Sequence, residues 1–448
     1  MTRKIPGLRW YIVGLLCLSS ELNYLDRQTL SVLAQTIQDE LHLTTMQYAN
    51  ITSAFLVSYT VMYAVCGRLV DRLGTRSSFL IFVSGWSVAN LLHAFARTAA
   101  QFSVCRFLLG AFEPMSFPAG IRAVTEWFPL RERALAVGIF NAGTAVGAAL
   151  AAPMVAWVSL AWGWRYAFLV GGVLGLVWVA VWAVVFRVPR LHRWLDSREL
   201  AVIEQDRNAT APVPAPVPIR RLLATREVWG CILARVLTDP ISYFFIFWTP
   251  KFLQQERGFA LADLGRYGWI PFVGLALGNL AGGGVPRLLM GLGWPLNRAR
   301  KAVMLAASCA MPACLLVMLT VPNPAIALGM ISVAMFAHAA WANMTLPAEV
   351  FPTHVVGSVT GFAGAFGGIA GVLTQQAIGW TVQHVSYTPV FLVCAVMHLA
   401  AFAVVCWLIG ELGRIRPMTP GNCDCVSAKI LEASLPGGGA EGDKASGI

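Results

Sequence analysis

Charge is what this sequence has least of. Asp, Glu, Lys and Arg make up 12% of its 448 residues, and 57% are hydrophobic. Soluble domains carry about 25% charged residues. Half that value, together with long apolar runs, excludes an ordinary soluble domain and marks a membrane protein. A phosphate-cradling GxxxxGK[ST] loop is absent, which counts against an ATP-driven pump. HExxH and GxSxG are also missing, which leaves a membrane hydrolase little support and points away from an enzyme. Cysteine is present, but eight of the ten fall in apolar segments, where they act as small hydrophobes. Cys423 and Cys425 form a lone C-x-C, too weak for a metal site, so neither metal nor cofactor is implied. The opening MTRKIPGLRW has no small-residue cleavage site before its apolar stretch, so it is expected to begin a retained helix.

Apolar runs are what the chain has in abundance. A crossing helix needs about 20 residues. Spans are expected at 10–33, 48–69, 78–97, 101–123, 134–157, 165–186, 228–253, 267–289, 302–320, 325–346, 358–381 and 388–409. The fold class is therefore all-α integral membrane, with twelve helices in two six-helix, pseudo-symmetric bundles. Residues 1–187 form the first bundle, 188–227 a cytoplasmic linker, 228–410 the second bundle and 411–448 a disordered tail. The linker carries a charged amphipathic piece (RWLDSRELAVIEQD) and a stiff APVPAPVPI stretch.

The net charge of +11 is a matter of topology, not a nucleic-acid footprint. With an even number of spans both termini share one side. That side holds 24 Lys or Arg and the other holds 5, among them Lys251. Arg27, Arg106, Arg122 and Arg235 fall within spans. The bias puts the termini and the linker in the cytoplasm. The halves also echo one another. Glu126-Trp127-Phe128-Pro129 precedes the fifth span and Glu349-Val350-Phe351-Pro352 the eleventh, an offset of 223 residues. GxxxG pairs follow in both: Gly143/Gly147, then Gly357/Gly361 and Gly364/Gly368, suited to close helix approach. This suggests a parallel duplication rocking about a midplane site.

A charge at the centre of a bilayer helix costs about 2.5–3.5 kcal/mol on insertion scales, so each one needs a reason. Three constellations stand out: Asp26-Arg27 in span one, Arg106 with Glu113 in span four, and Arg235 with Asp239 in span seven. Arg106 and Glu113 share a helix face, while Arg235 and Asp239 are at i, i+4 and able to pair. One reading makes these headgroup residues or structural ion bridges. The other is chemical: a buried guanidinium stays charged and grips a carboxylate. A neighbouring carboxyl is drawn toward protonation by desolvation and toward ionisation by the arginine. On that reading Arg27 and Arg106 bind an organic anion, and Asp26 and Glu113 carry protons. Arg235 and Asp239 are candidates for the same two roles. Tyr59, His338, Trp341 and Asn343 are candidates to complete a polyol site, against ordinary helix packing. His93, His384 and His398 read as structural.

These residues carry a resemblance. Gly67-x3-Asp71-Arg72-x-Gly74-x-Arg76 resembles the loop motif between helices two and three of the major facilitator superfamily at every defining position. It acts as a charge-and-helix-end clasp favouring one conformation; the corresponding GGGVPRLLMGLGWPLNRARK of the second half is degenerate and lacks the acid. NYLDR, the Tyr59 segment and RFLLGAFEPMSFPAG resemble the anion:cation symporter family. GLRWYIVGLLCL, RVLTDP and FAHAAWAN resemble bacterial hexuronate transporters. The resemblance implies alternating access, proton symport of a sugar acid, and a bacterial inner membrane. In that family the residues matching Arg27 and Arg106 bind acidic substrates, and those matching Asp26 and Glu113 couple protons. A monomer in the lipid bilayer is expected, with a small organic anion and a proton as its partners and no nucleic acid. Rival readings are a transporter of another organic acid (aldonate, aldarate or aromatic), a metabolite exporter, or a sugar-acid sensor that moves nothing.

Overall fold

The computed structural model describes residues 4–205, 219–341 and 345–413, and it is all helix with short turns. The first half comprises α1 (Leu8–Val32), α2 (Ala34–Leu41), α3 (Thr45–His93), α4 (Ala99–Phe112), α5 (Ser116–Trp127), α6 (Leu130–Trp162) and α7 (Trp164–Val185). After α8 (Ser197–Glu204) and α9 (Ile219–Leu223), the second half has α10 (Arg226–Arg257), α11 (Leu261–Tyr267), α12 (Ile270–Gly291), α13 (Leu296–Thr320), α14 (Pro324–Trp341), α15 (Leu346–Val350), α16 (Thr353–His384) and α17 (Thr388–Val404). Among the described residues, nine helical stretches are long and apolar enough to cross a membrane. All twelve expected spans nevertheless overlie helix, except that residues 342–344 of the tenth lie outside the described residues. The difference has physical causes. The 49-residue α3 turns at Gly74, whose φ of 75° and ψ of 161° are not helical, so it supplies two spans. The first span carries Glu21, Asp26 and Arg27, and the fourth is broken by Pro114, which cannot donate to the helix ladder.

The repeat seen in the sequence is also one of backbone geometry. Phe128 and Phe351 are extended, and Pro129 and Pro352 follow as N-caps with φ/ψ of −63°/156° and −65°/150°. Each proline thus starts its long helix with φ already set. The glycine pairs behave unequally. A Cβ on Gly143 or Gly147 would strike the α1 carbonyls of Cys17 and Glu21, so α1 and α6 meet backbone to backbone. Gly364 and Gly368 pack against Arg235 with Tyr63, and against Thr60. Gly357 and Gly361 face open space and pack against nothing, contrary to expectation.

The linker is only partly a linker. Its first portion docks on the first half: the buried Glu199 carboxylate accepts from the N–H groups of Leu8 (3.0 Å) and Arg9 (3.2 Å) and from Arg9 Nη1 (3.0 Å). It therefore caps the start of α1 and complements the positive helix end. The APVPAPVPI stretch falls mostly outside the described residues. So does the tail from residue 414, although Leu412 is buried and its N–H donates to Asn297.

Gly147→Val is expected to destabilise by about 1–3 kcal/mol through overpacking against α1, lowering the apparent unfolding temperature in detergent. Gly361→Ala, at an open helical position, is expected to leave that temperature unchanged or raise it.

Candidate functional site

Where α1 passes the end of α4, four ionisable side chains lie buried together. Glu113 opens the 3-10 turn Glu113–Met115 that Pro114 imposes between α4 and α5. Its Oε2 accepts from Arg27 Nη2 at 2.7 Å and Nε at 2.9 Å. The spacing within span four pointed to Arg106 as its neighbour on one face, but the carboxylate is engaged across the helix contact by Arg27. The guanidinium is boxed by ring faces: Tyr24 at 4.5 Å, Tyr59 at 4.9 Å and Phe55 at 5.4 Å. Asn23, one turn back, accepts from Nη2 at 3.3 Å. Asp26 and Arg27 are 0% and 7% exposed, so both side chains lie inside the bundle and not on its outer surface.

Arg106, 2% exposed, is held differently. Its Nη1 reaches the Arg27 carbonyl at 3.4 Å, and its Nε has no partner among the described residues. No carboxylate lies within ion-pair distance of it among those residues. Asp26 Oδ1 accepts from Asn90 Nδ2 at 2.7 Å, while Asp26 Oδ2 and Glu113 Oε1 have no partner among the described residues. A carboxylate brought here competes with Glu113 for Arg27, and a proton on Glu113 releases the guanidinium.

Across the seam between the halves, Arg235 and Asp239 pair as their spacing predicted. Nε and Nη2 both reach Oδ2 at 2.9 Å, and both residues are buried. Tyr63 of α3 stacks on Tyr59 (6.2 Å, 21°) and packs with Arg235 around Gly364. Tyrosines thus link the two arginine sites. Beyond them, away from the termini, the seam is closed. Tyr48 donates to the Phe247 carbonyl at 2.6 Å, Gln376 to Ser53 at 2.7 Å, and Met46 N–H to Gln383 at 2.8 Å. Gln375 Oε1 accepts from both Trp248 (2.7 Å) and Thr52 (3.2 Å).

At the other end lies the loop motif. Arg122 donates to the Val70 carbonyl (2.8 Å) and to Asp71 (3.4 Å) and pairs with Glu126 (3.0 Å), which also accepts from Thr75 (2.9 Å). Arg76 donates to the Ala183 carbonyl at 2.6 Å. All these partners belong to the first half, so the motif clasps its own bundle in this conformation. The residues matched by the family model for the Major Facilitator Superfamily are 16–375. The chain belongs to the major facilitator superfamily.

A hexuronate transporter of Escherichia coli K12 is 32% identical over 412 residues, covering 91% of this chain and 95% of that one. A galacturonate transporter of Dickeya chrysanthemi is 36% identical, covering 64% and 83%. A D-galactonate transporter of Escherichia coli O6:H1 is 28% identical, covering 92% and 98%. Among solved structures, a bacterial homologue of the lysosomal transporter Spinster, inward-facing and occupied, has a TM-score of 0.69 at 18% identity, covering 90% and 95%. The inward-open xylose transporter XylE of E. coli has a TM-score of 0.68 at 14% identity, covering 90% and 97%. The chain is accordingly a multi-pass membrane protein whose relatives are transporters of sugar acids, not enzymes.

In this major facilitator fold the remaining candidates fall apart from the arginines. His338 Nδ1 meets His398 Nε2 at 3.2 Å, and Trp341 donates to Ser308 at 2.9 Å, which donates to the His398 carbonyl. They form a cluster of the second half that includes a histidine read as structural. Asn343 lies outside the described residues. Sequence reasoning missed Asn23, Tyr24 and Asn90. Asn23 was within reach, one helical turn before Arg27, but Asn90 meets Asp26 only through folding. The second-half loop region lacks the acid, as its sequence shows, yet its Arg300 finds one elsewhere. There Arg300 pairs with Glu349 at 2.8 Å and donates to the Gly282 carbonyl and Thr345, so Glu349 holds its loop much as Glu126 does. Arg300→Met is expected to cost about 3–5 kcal/mol by stripping a buried pair of one partner, read as lost thermal stability and detergent monodispersity.

Proposed function

We propose that this protein imports a sugar acid, a hexuronate or a close relative, by proton symport with alternating access. The observation that carries the proposal is the buried Arg27–Glu113 pair beside Arg106, a guanidinium without a carboxylate partner among the described residues. The substrate carboxylate supplies the charge Arg106 lacks and displaces Glu113 from Arg27. Glu113, set free in an apolar site, takes up a proton, and Asp26 is the second acceptor. Substrate and proton are thus coupled, because a substrate carboxylate that takes Arg27 leaves Glu113 a buried charge without its partner until a proton reaches it. Tyr59 offers a hydroxyl and a ring face to the sugar, and His338, Trp341 and Asn343 would contribute from the second half. The names of the relatives support the substrate class. Because Asp239 already neutralises Arg235, a monocarboxylate fits better than an aldarate with two charged ends. The 24-to-5 bias of basic residues supports cytoplasmic termini, so the closed end of the seam faces outward. The Gly67–Arg76 motif would brace the cytoplasmic end of the first bundle in this conformation.

Arg106→Ala is expected to weaken sugar-acid binding about 100-fold or more, as is Arg27→Lys, which keeps the charge but loses the planar fork stacked between tyrosines. Binding to purified protein by calorimetry tests both, and near-normal affinity in either sinks the anion site. Glu113→Gln is expected to abolish uptake driven by a proton gradient while sparing counterflow exchange in proteoliposomes. Accumulation by that variant against a gradient would remove Glu113 from the coupling role.

A further inference from the structure

The five basic residues on the side away from the termini include Lys251. Lys251 is 0% exposed at the closed end of the seam. Its Nζ donates to Thr45 Oγ1 of the other half at 3.0 Å and lies 5.3 Å from the ring centroids of both Tyr48 and Trp248. Among the described residues no carboxylate is within ion-pair distance of it. One hydroxyl and two aromatic faces compensate a buried ammonium only in part.

Thr45 is also part of the floor of a polar vestibule of about 580 Å³. Gln35, Gln38 and Asp39 line it from the first half, and Gln255 and Gln383 from the second. Asp39 accepts from Gln35 Nε2 at 2.7 Å and acts on the lysine only from beyond ion-pair distance. A cup of amide groups suits hydroxyls, and a buried ammonium beneath its floor, with no carboxylate in direct contact among the described residues, suits a carboxylate.

We propose that the vestibule is a capture site for polyhydroxy carboxylates and that Lys251 is its recognition residue. An arriving carboxylate offers Nζ a charge-assisted hydrogen bond in place of Thr45 and the two rings. Drawing Lys251 out removes a tie that spans both halves, so capture and opening of this end are one event. The inference rests on the sugar-acid reading above and adds a second, sided site to it.

The test is transport of labelled galacturonate in oriented membrane vesicles, with KM measured separately from the vestibule side and from the opposite side. Lys251→Met keeps the apolar stem and removes the charge. It is expected to raise KM from the vestibule side about tenfold or more and to leave KM from the opposite side within about twofold, with Lys251→Arg recovering part of the loss. Thr45→Val, a milder change, frees the lysine and is expected to lower or preserve the vestibule-side KM; it keeps the test open should Lys251→Met fail to fold. Equal change from both sides, or none from either, overturns the capture site. So does a vestibule-side loss that Lys251→Arg does not relieve. Absence of galacturonate transport by the wild-type protein would instead refute the sugar-acid reading itself, which Arg106→Ala probes independently.

Discussion

Holding guanidinium groups inside an apolar bilayer is the constraint around which this molecule is arranged. Arg27 is tolerable there because Glu113 shares one oxygen with two of its nitrogens and three rings cover its faces. Arg106 has a weaker setting, a carbonyl at 3.4 Å and no ion-pair partner among the described residues. The contrast between a satisfied arginine and an unsatisfied one gives the site its direction. On the proposed function, an anion would be favoured beside Arg106 and its arrival would disturb the pair next door. In water such pairs are worth little, but out of water each uncompensated charge is costly.

The seam is arranged around that site. Gly143 and Gly147 let α6 rest directly on α1, which fixes the helix carrying Asp26 and Arg27. On the opposite bank, Gly364 and Gly367 make room for the Arg235–Asp239 pair. The hydrogen bonds across the seam lie beyond the arginines, where tyrosine, glutamine and lysine side chains reach backbone or hydroxyl groups of the other half. These are directional but individually modest interactions of about 1 kcal/mol each.

The duplicated Glu-x-Phe-Pro segments show how one device survives while its partners change. Glu126 is held by Arg122 and Thr75, and Glu349 by Arg300 and Thr345. In both halves the acid closes the end of a short helix, and the following proline launches a long one. The second-half loop lacks the acid of the first, and the basic partner of its Glu-x-Phe-Pro glutamate, Arg300, stands on a different helix from the glutamate. The pairing was kept with different residues.

Much of this was legible in the chain itself. Hydrophobic run length, the side-to-side bias of arginine, the 223-residue echo and the i, i+4 pairing of Arg235 with Asp239 are local or additive properties, so the sequence alone determined them. The identity of Arg27, Arg106, Asp26 and Glu113 as residues needing an explanation was equally plain, because a charge in an apolar run has few reasons to be there. Which carboxylate takes which arginine was not. Glu113 engages Arg27 instead of Arg106, Asn90 meets Asp26, His338 meets His398, and Lys251 turns inward under a vestibule. Each depends on how separate helices cross. Periodicity fixes the face of a helix, but only the packed bundle decides what that face meets.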